Sequence, residues 1–178
     1  TLVKALQDSH KQVAYSIAEE HQIRKSSRNE TEFKVKRKLI RYSQPYNRLL
    51  LSYINYLPIQ SVMFHRSLFE KLGGFDSALD FLEDWELWVR YSTDSDFVFV
   101  PELTSVYYTP YKSTAKQKRD VEINKARECV VQKFSAYTAT MDVEQMSRET
   151  EYLLTEFRKK SLLFYLKKAR DFLIYRDV

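Results

Sequence analysis

Apolar positions along the chain change period several times, and each change marks an element. Leu2, Val3 and Leu6 share one side of a helix over residues 1–9. Residues 12–18, QVAYSIA, alternate and are rich in strand formers, which predicts a strand. Residues 19–45 are polar, basic and without period. They read as a long surface loop with at most a short strand over 33–35. Residues 46–57 suit a helix closed by Pro58, and residues 59–65, IQSVMFH, a buried strand. Ser67 and Glu70 have the spacing of a capping box for a helix that stops at Leu72, where Gly73 can take a left-handed C-cap. A helix over 83–93, a strand over 97–100 ended by Pro101, and a strand over 105–109 follow. Helical patterns over 114–138 and 143–176 then predict a hairpin turning near 140–142. There is no internal repeat and no low-complexity segment.

The expected class is α/β, more closely an α+β arrangement. Residues 1–112 form one part and residues 113–178 a helical extension. At 178 residues the chain can bury one proper core. Hydrophobic residues at 44% and charged residues at 30% are ordinary for a globular domain. The apolar runs are too short for a membrane span of about 20 residues. One cysteine, Cys129, allows no internal disulfide and fits a reducing compartment. Thr1 is not an initiator, so the chain is expected to begin inside a longer one. Aromatics reach 15%, while Gly73 and Gly74 are the two glycines present.

The net charge of +5 is concentrated locally. One basic cluster runs from Arg24 to Arg48 and a second from Arg158 to Arg176. Such clusters can meet phosphates, nucleic acid or anionic lipid, or simply stay solvated. Aromatic residues interleave the first cluster, as in single-strand binders. No nucleic-acid module accompanies it, so nucleic acid is not the expected partner. In the second, Leu162, Leu163, Leu166, Phe172 and Leu173 alternate with basic residues. Residues 158–176 could therefore lie on an anionic membrane, or pack their apolar face on the domain or on a second copy.

The chemistry concentrates in residues 59–110. A strand leads to a capped helix, the helix to Gly73 and Gly74, and a short loop to the acids Glu83 and Asp84 at a helix start. Free amides and the helix dipole favour negative charge there, so the pair could be a cap or an ionised base. Asp76 could offer its carboxylate to a ligand or cap the next turn. Trp85 lies beside the acids and could stack on a ring or fill the core, and Trp88 suits the core. Arg66 suits a structural ion pair. No pairing of His, Cys and acid has zinc spacing.

The order of these pieces resembles the acceptor region of family 2 glycosyltransferases of the GT-A type. The matching segments are Ser61 to Arg66, Gly73 to Asp76 and Glu83 to Trp88, within a stretch of about 50 residues that carries the resemblance. The resemblance implies the acceptor half of an inverting transferase, which moves a sugar from a nucleotide-sugar donor to a hydroxyl of a polysaccharide, lipid-linked or cell-surface glycan. It implies Asp84 as base, Glu83 as its helper, and Gly73, Gly74, Phe75, Asp76 and Trp85 as the substrate-binding set. It also implies Mg²⁺ or Mn²⁺ held by an Asp-x-Asp element upstream of Thr1. Asp94-Ser95-Asp96 has the spacing but follows the base in a turn, so no metal ligand is expected within this chain. Nor does the stretch Tyr107-Tyr108-Thr109-Pro110-Tyr111 carry the histidine of many relatives. The near-absence of glycine fits a missing donor half, and without that half the chain should transfer nothing. The implied place is the cytoplasm, with peripheral contact at the inner face of the cell membrane. A non-catalytic helical scaffold is the alternative from another class.

Overall fold

A computed structural model describes residues 1–25, 32–111, 114–138 and 140–159. The protein is mixed α/β, with an open four-stranded mixed sheet and six helices among the described residues. In chain order the elements are α1 (Leu2–Ser9), β1 (Val13–Lys25), β2 (Phe33–Ile40), α2 (Arg48–Leu51), β3 (Val62–Phe64), α3 (Arg66–Leu72), α4 (Glu83–Tyr91), β4 (Phe97–Pro110), α5 (Thr114–Thr138) and α6 (Val143–Lys159). The chain divides into two compact units, Thr1–Thr140 and Met141–Val178. Helix α5 thus shares a unit with the sheet, and the division falls well after residue 112.

Strand β1 is the spine of the first unit. Along one edge it pairs antiparallel with β3 through Val13, Ala14 and Tyr15, then with β2 from Glu19 onward. Along the other edge it runs parallel to β4, from Val13↔Phe97 to Ile23↔Pro110. Flanked on both edges, Val13, Ala14, Tyr15 and Ser16 are buried. The core gathers Val13 and Tyr15 with Leu51, Tyr56, Leu57, Leu68, Trp85, Trp88, Tyr91 and Phe97, and Val130 and Phe134 of α5 complete it.

Several elements differ from expectation, each for a physical reason. The expected loop over 19–45 is largely a hairpin, because β1 continues to Lys25 and β2 runs eight residues. Strand β2, FKVKRKLI, is exposed along most of its length. Its order comes from backbone pairing, which leaves no apolar signature, and its lysines suit an unshared edge. The helix expected over 46–57 is only Arg48–Leu51, capped by Asn47, whose side chain accepts the Leu50 amide at 2.6 Å. Beyond Leu50 the carbonyls of Leu51 and Tyr53 bond to side chains of α4 and α5 instead of to amides four residues on, so the helix does not propagate. The strand expected over 59–65 begins with a 3₁₀ turn, Ile59–Ser61, and pairs only over three residues. The capping box does not form. His65 is the N-cap, with its Nδ1 accepting the Ser67 amide at 3.3 Å, while Glu70 pairs with Arg66 at 2.9 Å. Pro101 does not end its strand; β4 passes through it where the register with β1 shifts between Ser16 and Ile17, the kind of irregular site that tolerates proline.

The second unit carries α6. Asp142 Oδ1 accepts the Gln145 amide at 2.6 Å, and Arg148 pairs with Glu144 at 2.7 Å one turn away. No helix among the described residues is long and apolar enough to cross a membrane. Residues 160–178, with most of the proposed membrane-facing stretch, lie outside the described residues.

Candidate functional site

Helix α4 organises the site, and its burial explains how. Trp85, Glu86, Leu87, Trp88, Val89 and Tyr91 are all buried, so nearly the whole circumference of this short helix is covered. Buried indole N–H groups need acceptors. Trp85 Nε1 donates to the Leu51 carbonyl at 2.6 Å, and Trp88 Nε1 to the Leu57 carbonyl at 3.1 Å. From α5, Arg127 donates to the Tyr53 carbonyl at 3.0 Å. Three side chains thus pin the segment between α2 and Pro58 by its backbone, and Asn55 sits in its middle.

Asn55 faces Asp84. Its Nδ2 donates to Asp84 Oδ1 at 3.1 Å, and its own Oδ1 accepts the Leu57 amide at 3.4 Å, which orients the amide group. The Trp85 amide also donates to Asp84 Oδ1, at 2.7 Å. Both of these bonds fall on Oδ1, and the amide of Asp84 itself also bonds the carboxyl. Burial pushes the Asp84 carboxyl up to about 6. The bond from the Trp85 amide opposes this, the Glu83 charge adds to it, and the bond from Asn55 opposes it again. The entry to the helix is strained as well. Leu82, the residue before Glu83, sits at φ 63 in the left-handed region, which costs a bulky residue about 1–2 kcal/mol. Packing of Leu82 on the core offsets that cost.

The glycine loop is held from the other end of α4. Gly73 has φ 81, a left-handed value that favours glycine. Arg90 donates Nη1 to the carbonyls of Leu72 and Gly73, the latter at 3.2 Å, and Nη2 to that of Gly74 at 2.7 Å. Its Nε and Nη2 also grip both carboxylate oxygens of Glu86, at 3.0 and 2.9 Å. The Tyr91 hydroxyl adds a bond to the Gly73 carbonyl at 2.9 Å. Glu86 is only 2% exposed and receives the Tyr137 hydroxyl of α5 at 2.9 Å. A Cβ on Gly74 would come within 2.6 Å of the Phe69 ring, so the space beside Gly74 is already taken by Phe69. Asp76 closes the loop: its Oδ1 accepts the Ala78 amide at 2.9 Å and its other oxygen pairs with Lys133 of α5. The Lys133 bond, then the Ala78 amide, hold its carboxyl below the usual range.

The expected residues therefore fall into three groups. Asp84 and Glu83 form a half-buried acid pair at a helix start. Gly73, Gly74, Phe75 and Asp76 form one clamped loop, with Phe75 exposed at its tip. Trp85 departs from expectation as a stacking surface. It is 2% exposed, with Phe134 edge-on at 4.9 Å and the Arg127 guanidinium over its ring at 5.5 Å. It is a core residue that anchors the Asn55 segment. Asn55, Glu86 and Arg90 had no signal in the sequence reading. The contact of Asn55 with Asp84 spans 29 residues of chain and carries no local pattern. Arg90 and Glu86 could have been suspected as an i,i+4 pair inside an apolar helix.

Asp94 pairs with Lys71, and Ser95 Oγ accepts the Gln12 amide at 3.0 Å, so this Asp-x-Asp spacing serves the turn between α4 and β4. No group of three or more His, Cys, Asp or Glu among the described residues could hold a metal ion. No protein-family model matches the chain, and no curated protein matches it.

Proposed function

We propose that the protein is the acceptor-side part of an inverting GT-A glycosyltransferase, with Asp84 as base. One observation carries the reading. A carboxyl at a helix start is oriented through one oxygen by Asn55 and its neighbour's amide, and burial raises it to about 6. A base with that value is mostly ionised at neutral pH and still accepts a proton readily. The acceptor hydroxyl gives its proton to the Asp84 carboxylate while its oxygen bonds to the anomeric carbon. The bond from that carbon to the donor diphosphate breaks on the opposite face, and the nucleoside diphosphate leaves with the electron pair. The clamped loop from Gly73 to Asp76 borders the sugar, with Phe75 as its exposed aromatic.

The test is Asp84→Asn in the full-length protein, assayed for sugar transfer from nucleotide sugars with Mn²⁺. The substitution keeps the Oδ1 acceptor and removes the base, so kcat should fall about 10²- to 10⁴-fold. An unchanged kcat would sink Asp84 as base. The 178-residue chain alone should transfer nothing, and transfer by it would count against the reading.

A further inference from the structure

Every N–H of the Arg90 guanidinium has work to do. An arginine side chain carries five donors in a rigid fork. Arg90 makes five bonds, three to the successive carbonyls of Leu72, Gly73 and Gly74 and two to Glu86. The Glu86 carboxylate orients the fork, and the Tyr137 hydroxyl bonds the same carboxylate from α5. Asp84 lies six residues before Arg90 on the same helix, a rise of about 9 Å. Helix α4 is therefore a spacer, with the carboxyl at one end and the carbonyls of the glycine loop at the other.

We propose that Arg90 is a positioning residue that fixes the Gly73–Gly74 turn at a set distance from Asp84, and that Tyr137 makes α5 part of this device. The inference deepens the transferase reading and rests on it for the meaning of the distance. Without the fork, Gly73 keeps its left-handed φ and the Tyr91 bond to its carbonyl, but the carbonyls of Leu72 and Gly74 lose their Arg90 donors and the turn loses three of its four ties to side chains of α4. A reacting sugar bordered by that loop would then be misplaced relative to the base, and small misplacements are costly in rate. Lysine cannot substitute, because one ammonium with three donors cannot reach three carbonyls and a carboxylate together.

Two measurements test this. The first is amide hydrogen exchange on the 178-residue chain, wild type against Arg90→Lys and Tyr137→Phe. Exchange at residues 73–79 should rise about 10-fold in Arg90→Lys and less in Tyr137→Phe, with β1 amides unchanged. Equal loop exchange in wild type and Arg90→Lys would overturn the clamp. A rise spread evenly over β1 and β4 would overturn it too, as general loss of fold. Tyr137→Phe guards against an unfolded Arg90→Lys, since it removes one hydroxyl and leaves the fork in place. The second is transfer kinetics of the full-length protein. Arg90→Lys should lower kcat/KM about 10-fold while the acid limb of the pH profile stays in place, because Asp84 is untouched. A loosened loop with unchanged kcat and KM would overturn the positioning role. No transfer by the wild-type protein would overturn the transferase reading and the loop's role toward the base, while the exchange result separately decides whether Arg90 holds the loop.

Discussion

Two acids in this domain show that burial alone does not decide a charge state. Glu20 on β1 and Asp84 at the start of α4 are both withdrawn from solvent. Desolvation is the largest single influence on both, and it raises both. Yet Glu20 ends below its ordinary value and Asp84 ends at about 6. The difference is partners. Glu20 holds the Arg41 guanidinium, the Thr109 hydroxyl at 2.5 Å and the Gln22 amide at 3.2 Å. Asp84 has two neutral donors and the Glu83 charge beside it. The sheet acid is held charged as a structural joint between β1, β4 and the chain leaving β2. The helix acid is held close to its titration point. Burial of the same sheet joint, with Glu20 and Arg41 adding opposed charge effects, pushes the Tyr107 phenol up to about 12.

The largest expected loss of stability comes from breaking the Glu20 joint. Arg41→Met removes the cation and leaves a carboxylate buried with only neutral donors. A fully buried pair broken in this way costs about 3–5 kcal/mol. Arg41 is 45% exposed, so water recovers part of that. The expected loss is about 2 kcal/mol at pH 7, read as a lower midpoint in urea with unchanged slope. The pH dependence should change as well. In the wild type, Glu20 has a folded pKa below its unfolded value. It therefore contributes stability at neutral pH that is lost as pH falls through the folded value. In Arg41→Met burial dominates, so the variant should lose less stability on acidification than the wild type.

Asp84 carries the opposite sign. Its folded pKa of about 6 lies above the unfolded value of 3.8, so the native state binds the proton more tightly. The charged form is penalised, and the penalty grows as pH rises from 3.8 to 6 and is complete above 6. Asp84→Asn mimics the protonated form and keeps the Oδ1 acceptor for Asn55 and the Trp85 amide. It should stabilise the chain by about 1–3 kcal/mol at pH 7.5 and by almost nothing at pH 3.5. Thermal or urea unfolding at the two pH values checks this. A variant destabilised at pH 7.5 would mean that the carboxylate is better solvated than its setting suggests. With the kinetic loss expected above, the substitution would exchange activity for stability at one position.

How much of this was legible in sequence differs between the two regions. The helix bearing Asp84, Gly73 at the C-cap of α3, and the core place of Trp88 follow from local rules: apolar density, charge at a helix start, glycine after a helix; the full left-handed conformation expected of Gly73 does not form, since its φ of 81 goes with a ψ of 173. The Glu20 joint was hidden in a stretch expected to be loop, because β2 is an exposed edge strand that pairs through its backbone. Strand β4 looked like two strands because Pro101 falls on a register shift. Asn55 and Arg90, the partners that tune and space the site, touch it across 29 residues and 16 to 18 residues of chain. Their contacts depend on how two indoles and a guanidinium bind loop carbonyls, and no periodicity encodes that. The helical C-cap at Gly73 could be read, but the fork that fixes its carbonyl could not. Trp85 shows the limit from the other side: an aromatic beside an acid reads as platform or core alike, and the contacts with Phe134 and Arg127 decide for the core.

The smallest expected effect isolates one partner of Asp84. Asn55→Ala removes the Nδ2 donor and keeps the Trp85 amide bond and the Glu83 charge. A hydrogen bond to a charged group contributes about 1.5–3 kcal/mol at most, and one at 3.1 Å beside solvent contributes less. Taking about 1 kcal/mol, the Asp84 carboxyl should move up by roughly 0.7 pKa unit. Carboxyl-carbon NMR titration of the 178-residue chain reads this directly, without any assay of transfer. In the full-length protein the acid limb of kcat/KM should move up with it, while Arg90→Lys leaves that limb alone. A limb that moves with Arg90→Lys but not with Asn55→Ala would mean that the glycine loop, rather than the segment pinned by the two tryptophans, sets the charge of Asp84.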